Sequence, residues 1–368
     1  MSFRAPPPPR DTPPPLGMAI VGCGGAGADV ARAIGRVPGL VLVAAHDRDE
    51  TLARDLAAPA EATVHRSMAS LLDDERVDVV YVALPHDLLA PVARDVLLAQ
   101  RHALVEKPMA TTTGDIDALA ALAERVGRTL GVFYEMRFSP AAVAAREIVQ
   151  GGSIGEVVGI HIRTLIDKDP TYWRFGYSGR SESGWRGEKA RAGGGVVLMN
   201  TSHQLDIVAM VTGLPVVSVA GRTRTRTAGI DVEDSAVAVL RFSNGALGTL
   251  VAGAHVAGAD GETIEILGDL GRVTLDPYAG ELVQVDRGAP PRVVVPARSA
   301  SDDRGNFVAA LVAFADAARA SLPAPVGAPD ARLVLATVEA LYESAARGGV
   351  PIELPDRPKS LTTAGPES

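Results

Sequence analysis

The sequence predicts two consecutive structural units: an α/β unit with a doubly wound parallel sheet, then an α+β unit with a large, open-faced, mostly antiparallel sheet. From residue 16 to about residue 138, short apolar runs alternate with stretches of helical pattern, which is typical of a parallel sheet covered by helices. After Pro140, most runs alternate apolar and polar residues and are joined by short turns. This alternation indicates antiparallel strands with one buried face.

In the first unit, five apolar runs are predicted strands, with helices between them. These strands are Ala19–Val21, Leu40–Ala45, Val79–Ala83, Ala103–Val105 and Leu130–Tyr134. In the second unit, a helix is predicted at Ala141–Gln150, and eight strands follow it. They are Val157–Ile166, Val216–Thr225, Ser235–Phe242, Ala246–Val251, Thr263–Leu267, Gly271–Leu275, Glu281–Val285 and Arg292–Val295. Two last helices, Asp303–Ala320 and Asp330–Arg347, are expected to cover or flank the second sheet.

These patterns place the first unit at residues 16–138 and the second at residues 139–356. The flanking residues 1–15, which include seven prolines, and 357–368 are predicted to be disordered tails. The first tail has neither an apolar core nor a twin arginine, so we do not expect it to be an export signal.

The composition narrows the class of protein. A chain of 368 residues with 47% hydrophobic content can bury a large core. A single cysteine excludes an internal disulfide framework and fits a reducing compartment. The net charge of -8 gives no reason to expect a nucleic-acid partner, and no apolar run approaches the length of a membrane span. We therefore expect a soluble, cytoplasmic protein with no membrane or nucleic-acid partner.

A glycine-rich segment directly after the first predicted strand indicates a dinucleotide site. Gly22, Gly24 and Gly27 have the spacing G-x-G-x-x-G, and a helical pattern follows them. Gly22 permits the tight turn, Gly24 lets the backbone approach a pyrophosphate, and Gly27 lets the helix pack closely on the strand. The phosphates would then lie at the positive end of the helix. Cys23, inside this loop, is interpreted as a small residue in a crowded turn.

Asp47 follows the second strand, 20 residues after Gly27, where a carboxylate can accept hydrogen bonds from the adenosine ribose. Its charge repels a 2′-phosphate and favours NAD. Arg48 comes next in the chain and can stack on adenine or pair with that phosphate, so NADP is not excluded.

Ligands of doubly wound sheets lie over the carboxyl ends of the strands, so the residues after each strand are candidates for contact with the cofactor. Lys107 precedes a proline, and an X-Pro bond is where a cis peptide can occur. Its ammonium can stabilise an alkoxide, although a surface lysine in a turn remains an alternative. His86 is either a site residue or only the start of a helix. The predicted cofactor-contacting residues are Gly22, Cys23, Gly24, Gly25, Ala26, Gly27, Asp47, Arg48, Leu84, Pro85, His86, Glu106, Lys107 and Arg137.

The second unit contributes three consecutive glycines, residues 193–195, followed by a helical pattern. Asn200, His203 and Asp206 are three residues apart and are expected to share a helix face. His203 is the best candidate base, because its ordinary pKa lies near neutrality, and the alternative is a structural histidine. No cluster has convincing metal-ligand spacing, so no metal is predicted.

A polar stretch, Asp167–Arg191, carries aromatic and arginine side chains with little periodicity. These residue types suit a polyhydroxylated ring through stacking and hydrogen bonds, and they suit a subunit contact equally well. The predicted substrate-contacting residues are Lys107, Tyr172, Trp173, Arg174, Trp185, Arg186, Asn200 and His203.

Together these residues resemble the Gfo/Idh/MocA family of NAD(P)-dependent oxidoreductases, over about Leu16 to Leu354. The motifs that carry the resemblance are Gly22–Gly27, Glu106–Lys107–Pro108, Arg137–Phe138–Ser139–Pro140, Trp185–Arg186 and His203-x-x-Asp206. The resemblance implies an N-terminal Rossmann domain and a C-terminal open-faced sheet that often forms the oligomer contact. It therefore also implies a homo-oligomer, either a dimer or a tetramer.

The resemblance further implies hydride transfer between the nicotinamide and a secondary alcohol of a sugar, sugar derivative or cyclitol. Lys107 would polarise the reacting oxygen, and His203 would be the acid/base. One position departs from the family, which commonly has an aspartate where this chain has Met199; Asn200 follows and cannot take a proton. Two alternatives stay open: a glycoside lyase or hydrolase that retains NAD and uses transient oxidation, and a catalytically silent NAD(P)-binding sensor.

Overall fold

The computed structural model describes residues 14–259, 261–298 and 305–354. The predicted tail 357–368 lies outside these residues, and so does the predicted tail 1–15 apart from Pro14 and Pro15. Within them, the chain forms two sheets, and the predicted fold class is confirmed.

The first sheet has six parallel strands in the spatial order β3-β2-β1-β4-β5-β6. The strands are β1 (Leu16–Val21), β2 (Leu40–His46), β3 (Thr63–Val64), β4 (Val79–Val82), β5 (His102–Val105) and β6 (Leu130–Val132). The helices of this region are α1 (Gly25–Ile34), α2 (Glu50–Ala57), α3 (Met68–Leu72), α4 (His86–Leu98) and α5 (Thr113–Val126). Strand β4 has the sequence VVYV and is fully buried, as expected for a central parallel strand covered on both faces. The two-residue strand β3 was not predicted, because so short a strand leaves no periodic pattern.

The second sheet has nine strands in the order β14-β13-β12-β11-β7-β10-β9-β8-β15. They are β7 (Val157–Leu165), β8 (Val216–Arg224), β9 (Ser235–Phe242), β10 (Leu247–Gly253), β11 (Gly261–Gly268), β12 (Gly271–Asp276), β13 (Glu281–Asp286), β14 (Arg292–Val295) and β15 (Ile352–Glu353). All neighbours are antiparallel except β7 and β10. The strict alternation of buried and exposed residues along β9 shows why its bounds were predicted correctly.

The remaining helices come after the strands of the first sheet in the chain. They are α6 (Pro140–Gln150), α7 (Tyr172–Phe175), α8 (Lys189–Ala192), α9 (Ser202–Thr212), α10 (Gly305–Ala320) and α11 (Ala328–Ala346). Short turns of 3₁₀-helix lie at Ala58–Ala60, Glu135–Phe138 and Trp185–Gly187, and a π-helical turn at Val197–Thr201 precedes α9. Side chains cap several helix starts: Ser139, for example, accepts a hydrogen bond from the amide of Ala142 at the start of α6.

Helix α10 differs from expectation, because it packs against the first sheet and does not cover the second. Phe314 in α10 lies against Gly131 in β6, where a Cβ atom would approach its ring within 2.8 Å. Leu311 and Phe314 are buried in the same apolar cluster as Ile20 of β1. Apolar spacing reveals that a helix has a buried face, but it does not identify the sheet that buries it. The division of the chain near residue 138 remains a prediction.

Candidate active site

A single cavity of about 1470 Å³ extends from the glycine-rich loop to the loops of the second sheet. It lies over the carboxyl ends of β1, β2, β4, β5 and β6, as expected for a doubly wound sheet. Residues from both sheets line it, which is why neither structural unit contains the whole site.

The glycine-rich loop has the geometry that its spacing predicts. Gly22 has a φ of +94°, and a Cβ atom there would lie 2.1 Å from the carbonyl oxygen of Ala83. A Cβ atom on Gly27 would lie 2.1 Å from the carbonyl oxygen of Gly22, so only glycine lets α1 approach β1 this closely. A Cβ atom on Gly24 would meet nothing within 4 Å, and Gly24 lines the cavity. The backbone at Gly24 is therefore open to a ligand at the start of α1, where a pyrophosphate fits.

Asp47 holds the end of β2 against this loop. Its Oδ2 accepts a hydrogen bond from the amide of Cys23 at 2.7 Å, and its Oδ1 accepts one from the amide of Asp49 at 2.9 Å. Asp47 and Arg48 both line the cavity. Cys23 is buried, and burial raises the pKa of its thiol to about 12, consistent with a small packing residue.

The segments after β4 and β5 also lie along the cavity wall. Leu84, Pro85 and His86 line it. His86 begins α4, and its Nδ1 lies 2.7 Å from the carbonyl oxygen of Ala192. Burial lowers the pKa of His86 to about 3, so the ring stays neutral, and it packs against Trp185 with ring centroids 4.5 Å apart.

Lys107 reaches from the end of β5 to the second structural unit. Its Nζ donates a hydrogen bond to the carbonyl oxygen of Met199 at 2.6 Å, and the Lys107–Pro108 peptide bond is cis. Burial lowers the pKa of Lys107, while the neighbouring carboxylate of Glu106 opposes that shift. Glu106 itself accepts hydrogen bonds from the hydroxyl of Tyr81 and from the amide of Lys107. A lysine held in this way can donate to a developing alkoxide.

His203, in the first turn of α9, lies in the same cavity wall as Lys107. It is 7% exposed, and its Nδ1 has no hydrogen-bond partner among the described residues. Burial, with a smaller contribution from the positive charge of Lys107, lowers the pKa of His203 well below its usual range. The imidazole is therefore neutral near pH 7 and able to accept a proton. The π-helical turn before it carries Met199, whose carbonyl binds Lys107.

The polar stretch after β7 forms the opposite side of the cavity. Tyr172, Trp185, Arg186 and Asn200 all line it. The structure adds a residue that sequence reasoning missed: the Nζ of Lys168 lies 3.4 Å from the centroid of the Tyr172 ring and donates a hydrogen bond to Oδ1 of Asn200 at 2.7 Å. Its place at the end of a strand, inside the polar stretch, was the available signal.

Glu135 also lines the cavity. It follows the last strand of the first sheet, which was the available signal, although it was not among the predicted contact residues. Glu262, Tyr278 and Arg298 line the cavity as well, and they had no comparable signal in the sequence. Tyr278, for example, lies in the turn between β12 and β13 and also interacts with Asn200. Its approach to the site depends on how the second sheet folds, which local spacing does not encode.

Five predicted contact residues do not line the cavity: Cys23, Gly27, Arg137, Trp173 and Arg174. Cys23 and Gly27 are buried within the glycine-rich loop and the start of α1. Arg137 binds Asp206 through two hydrogen bonds of 2.6 Å and Asp330 through a third of 3.0 Å, behind the site. Trp173 donates a hydrogen bond from Nε1 to Nε2 of His255 at 2.9 Å, and Arg174 pairs with the carboxylate of Glu182. The motif spacing located these residues near the site, but it did not show which side of the backbone they occupy.

Within residues 14–259, 261–298 and 305–354, no group of three or more histidine, cysteine, aspartate or glutamate side chains is arranged to hold a metal ion. No helix in the described part of the chain is long and apolar enough to cross a membrane.

Two family models match consecutive parts of the chain. Residues 16–134 match the model described as an oxidoreductase family with an NAD-binding Rossmann fold, and residues 142–274 match the GFO/IDH/MocA C-terminal domain. Together they cover more than half of the chain.

Individual proteins agree with these models. The chain is 36% identical to 1-carboxy-3-chloro-3,4-dihydroxycyclo hexa-1,5-diene dehydrogenase of Comamonas testosteroni. This match covers 55% of this chain and 49% of that protein, so the chain spans about half of the relative. It is 28% identical to inositol 2-dehydrogenase 2 of Saccharopolyspora erythraea, over 72% of this chain and 74% of that protein. The crystal structure of GenD2 from gentamicin A biosynthesis, in complex with NAD, has a TM-score of 0.81 at 27% identity and covers 96% of this chain and 100% of that one.

Proposed function

The chain belongs to the Gfo/Idh/MocA family of oxidoreductases, with an NAD-binding Rossmann domain, and from this premise we propose that it transfers hydride between NAD and a secondary alcohol or ketone of a sugar, sugar derivative or cyclitol. One observation carries the proposal. Lys107 and a neutral, buried His203 lie together in a cavity that begins at the open backbone of Gly24. The relative named for a dihydroxylated ring and the relative named for inositol are consistent with a cyclic polyol as substrate.

The residues of this chain have separate roles in the proposed reaction. NAD, when bound, supplies the hydride acceptor, and the glycine-rich loop and Asp47 are the residues that fit its phosphates and ribose. His203 accepts the proton of the substrate hydroxyl at an imidazole nitrogen. Lys107 donates a hydrogen bond to the same substrate oxygen and stabilises its negative charge. The O–H electron pair becomes the second bond of the carbonyl as the C–H bond at that carbon breaks and its hydrogen leaves as the hydride. In the reverse direction, His203 returns the proton to that oxygen.

Turnover by two single variants tests these roles. We expect Lys107→Ala and His203→Ala each to lower kcat/KM by about a hundredfold or more, since each removes a proton-handling or oxyanion-stabilising group. The substrates are myo-inositol, scyllo-inositol, D-glucose and D-glucuronate, and the measurement is the absorbance of reduced nicotinamide. Lys189→Ala, at an exposed lysine in α8, is the matched control and is expected to retain wild-type activity.

Cofactor affinity separates the proposal from its competitors. Calorimetry should show that both variants still bind NAD, because neither side chain forms the phosphate loop. Full activity in both variants would disprove the assignment. Tight NAD binding without turnover of any polyol by the wild-type protein would favour the sensor, and release of an aglycone without net reduced cofactor would favour the NAD-retaining lyase or hydrolase.

We also propose that the outer face of the second sheet joins two copies of the chain. The central strands β7, β9 and β10 expose a row of apolar side chains: Val158, Val237, Val239, Leu247 and Val251. Val239 is 55% and Leu247 59% exposed, so covering them with a second copy would remove apolar surface from water. Sedimentation should give at least a dimer, and Val239→Lys should weaken it; a wild-type monomer at micromolar concentration would disprove this assembly.

A further inference from the structure

We propose that the substrate carries a carboxylate, which Lys168 and Arg186 hold on the second-sheet side of the cavity. The chemical class is a sugar acid or a carboxylated cyclic polyol. This inference rests on the proposed hydride transfer for the reacting end of the substrate and adds the charge of its other end.

The two cations lie together around one aromatic ring. The Nζ of Lys168 lies 3.4 Å from the centroid of the Tyr172 ring, and the Cζ of Arg186 lies 5.6 Å from the same centroid. Both residues line the cavity that also contains Lys107 and His203. Lys168 follows β7, and Arg186 lies in the 3₁₀ turn Trp185–Gly187, so the pair is assembled from two separate parts of the polar stretch. The charge of Arg186 acts on Lys168, and an anion bound between the two cations would offset their repulsion.

Neither cation has a carboxylate partner among the described residues. Lys168 donates its hydrogen bond to the neutral amide oxygen of Asn200 at 2.7 Å. Arg186 stacks on aromatic rings, with its Cζ 4.6 Å from the ring of Trp185. By contrast Arg191, which also lines the cavity, forms an ion pair of 3.4 Å with Asp87. The guanidinium of Arg186 therefore has donors available for a planar carboxylate.

Three acidic residues that line the cavity, Asp169, Glu135 and Glu262, form no hydrogen bond with either cation among the described residues. Asp169 accepts its hydrogen bonds from the amide and the hydroxyl of Thr171. Glu262 acts electrostatically on Lys168, but it accepts its hydrogen bond from Gln204, and burial raises its pKa to about 7. Burial also raises the pKa of Glu135 to about 8, so this carboxyl is mostly protonated at neutral pH.

Burial and the neighbouring charge of Arg186 lower the pKa of Lys168 to about 7. A bound carboxylate would raise that pKa again, which couples binding to the charge of Lys168. Arg186 carries a permanent positive charge on this side of the cavity, and Lys168 becomes fully charged when a carboxylate binds, although the whole chain carries a net charge of -8. Such a local field selects an anionic ligand from a pool of neutral polyols.

The position of Arg186 leaves two anions to consider, the substrate carboxylate and the phosphates of the dinucleotide. Arg186 lies against Gly176, and Tyr177, which follows Gly176 in the chain, lies against Gly25 of the glycine-rich loop. A contact between Arg186 and the dinucleotide phosphates is thus the competing use of this side chain. Lys168 is held instead by Asn200 in the π-helical turn, which also carries the carbonyl that binds Lys107. NAD affinity therefore distinguishes the two uses.

The experiment compares acids with their uncharged counterparts, using the full chain loaded with NAD. The matched probes are D-glucuronate and D-glucose, D-galacturonate and D-galactose, and shikimate and methyl shikimate. Binding is measured by calorimetry and turnover by the absorbance of reduced nicotinamide. We expect the wild-type protein to prefer at least one acid over its neutral counterpart by about tenfold or more, which is the contribution of a charge-assisted hydrogen bond.

Lys168→Met and Arg186→Met should each lower affinity for the acids by about tenfold more than they lower affinity for the neutral sugars. Lys168→Arg should retain most of the preference, since it keeps the charge. The control Lys189→Met, at an exposed lysine outside the cavity, should change neither. A merely structural role for Lys168 would instead affect acids and neutral sugars alike.

Several results would overturn the inference. These are equal affinity for acids and neutral sugars, no binding of any acid at millimolar concentration, a preference that survives both methionine variants, or loss of NAD affinity in Arg186→Met in place of the carboxylate preference. The proposed function fails differently: acids would still be bound in preference to neutral sugars, and Lys168→Met would still abolish that preference, but no polyol would be oxidised.

Discussion

The two ends of the cavity are built in different ways. The cofactor end is formed mainly by one continuous segment, in which β1, the glycine-rich loop, α1 and β2 lie within residues 16–47. The substrate end brings together Lys107, Lys168, Arg186, His203 and Tyr278, from distant parts of the chain. Contacts within a short segment are encoded by residue spacing, whereas the second arrangement exists only after the two sheets have packed.

The supports of the two ends also differ. At the cofactor end, backbone atoms approach each other closely at Gly22 and Gly27, and the fit is steric. At the substrate end, the helix that carries His203 is held from behind by the ion pairs of Arg137 with Asp206 and Asp330. The first support depends on the absence of side chains, and the second on buried charge.

Removing that buried charge should have the largest effect. Asp206 is 1% exposed, so Arg137→Met would leave its carboxylate buried without a counter-charge. We expect the free energy of unfolding to fall by about 3–5 kcal/mol, measured by denaturant titration. Any protein that remains folded should bind NAD with nearly normal affinity but show reduced turnover, since α9 carries His203 and not the phosphate loop.

Arg174→Met is the matched control, because Arg174 was assigned to the site by the same reasoning from sequence. Its ion pair with Glu182 is exposed on both sides, so we expect a loss of about 1 kcal/mol or less. Equal losses in the two variants would contradict the difference between a supporting and a peripheral arginine.

Steric fit at the cofactor end should give the next largest effect. In Gly27→Ala the new methyl group would lie 2.1 Å from the carbonyl oxygen of Gly22, so α1 must move, at a cost of about 1–3 kcal/mol. In Gly24→Ala the methyl group meets no protein atom within 4 Å, so stability should be unchanged while affinity for NAD falls by about tenfold or more. Denaturant titration and calorimetry separate the two. A comparable loss of stability in both variants would mean that Gly24 is structural.

The same contrast explains how much the sequence predicts. The bounds of β9 and β14 were predicted to the residue, and the steric roles of Gly22 and Gly27 agree with the structure, because each depends on residues close in the chain. The packing of α10 was predicted wrongly, since its apolar face would suit either sheet. Lys168 was missed because nothing in its own neighbourhood indicates that Asn200, 32 residues away, would receive its hydrogen bond.

Asn200 and His203 illustrate an intermediate case. The spacing of Asn200, His203 and Asp206 predicted a common helix face, but only Asn200 and His203 line the cavity, and Asp206 binds Arg137 behind it. Asn200 lies in a π-helical turn and His203 in the α-helix after it. The widened turn was not predictable from periodicity, because a single turn with a different hydrogen-bond pattern leaves the apolar positions almost unchanged.

The smallest expected effect concerns pH and the buried acid at the end of β6. Burial raises the pKa of Glu135 to about 8 from 4.5, so between these values the folded state binds a proton that the unfolded state has released. The contribution of Glu135 to stability is therefore complete below pH 4.5 and is lost as the pH rises through about 8.

Between pH 6 and pH 7, the free energy of unfolding of the wild-type protein should fall by about 1 kcal/mol more than that of Glu135→Gln, which has no proton to release. Denaturant titrations at the two pH values measure the difference, with Glu147→Gln, on the exposed side of α6, as a control expected to behave like the wild type. If Glu135→Gln and the wild type lost stability equally, Glu135 would be ionised in the folded protein. Its negative charge would then offset part of the positive charge of Lys168 and Arg186 in the cavity.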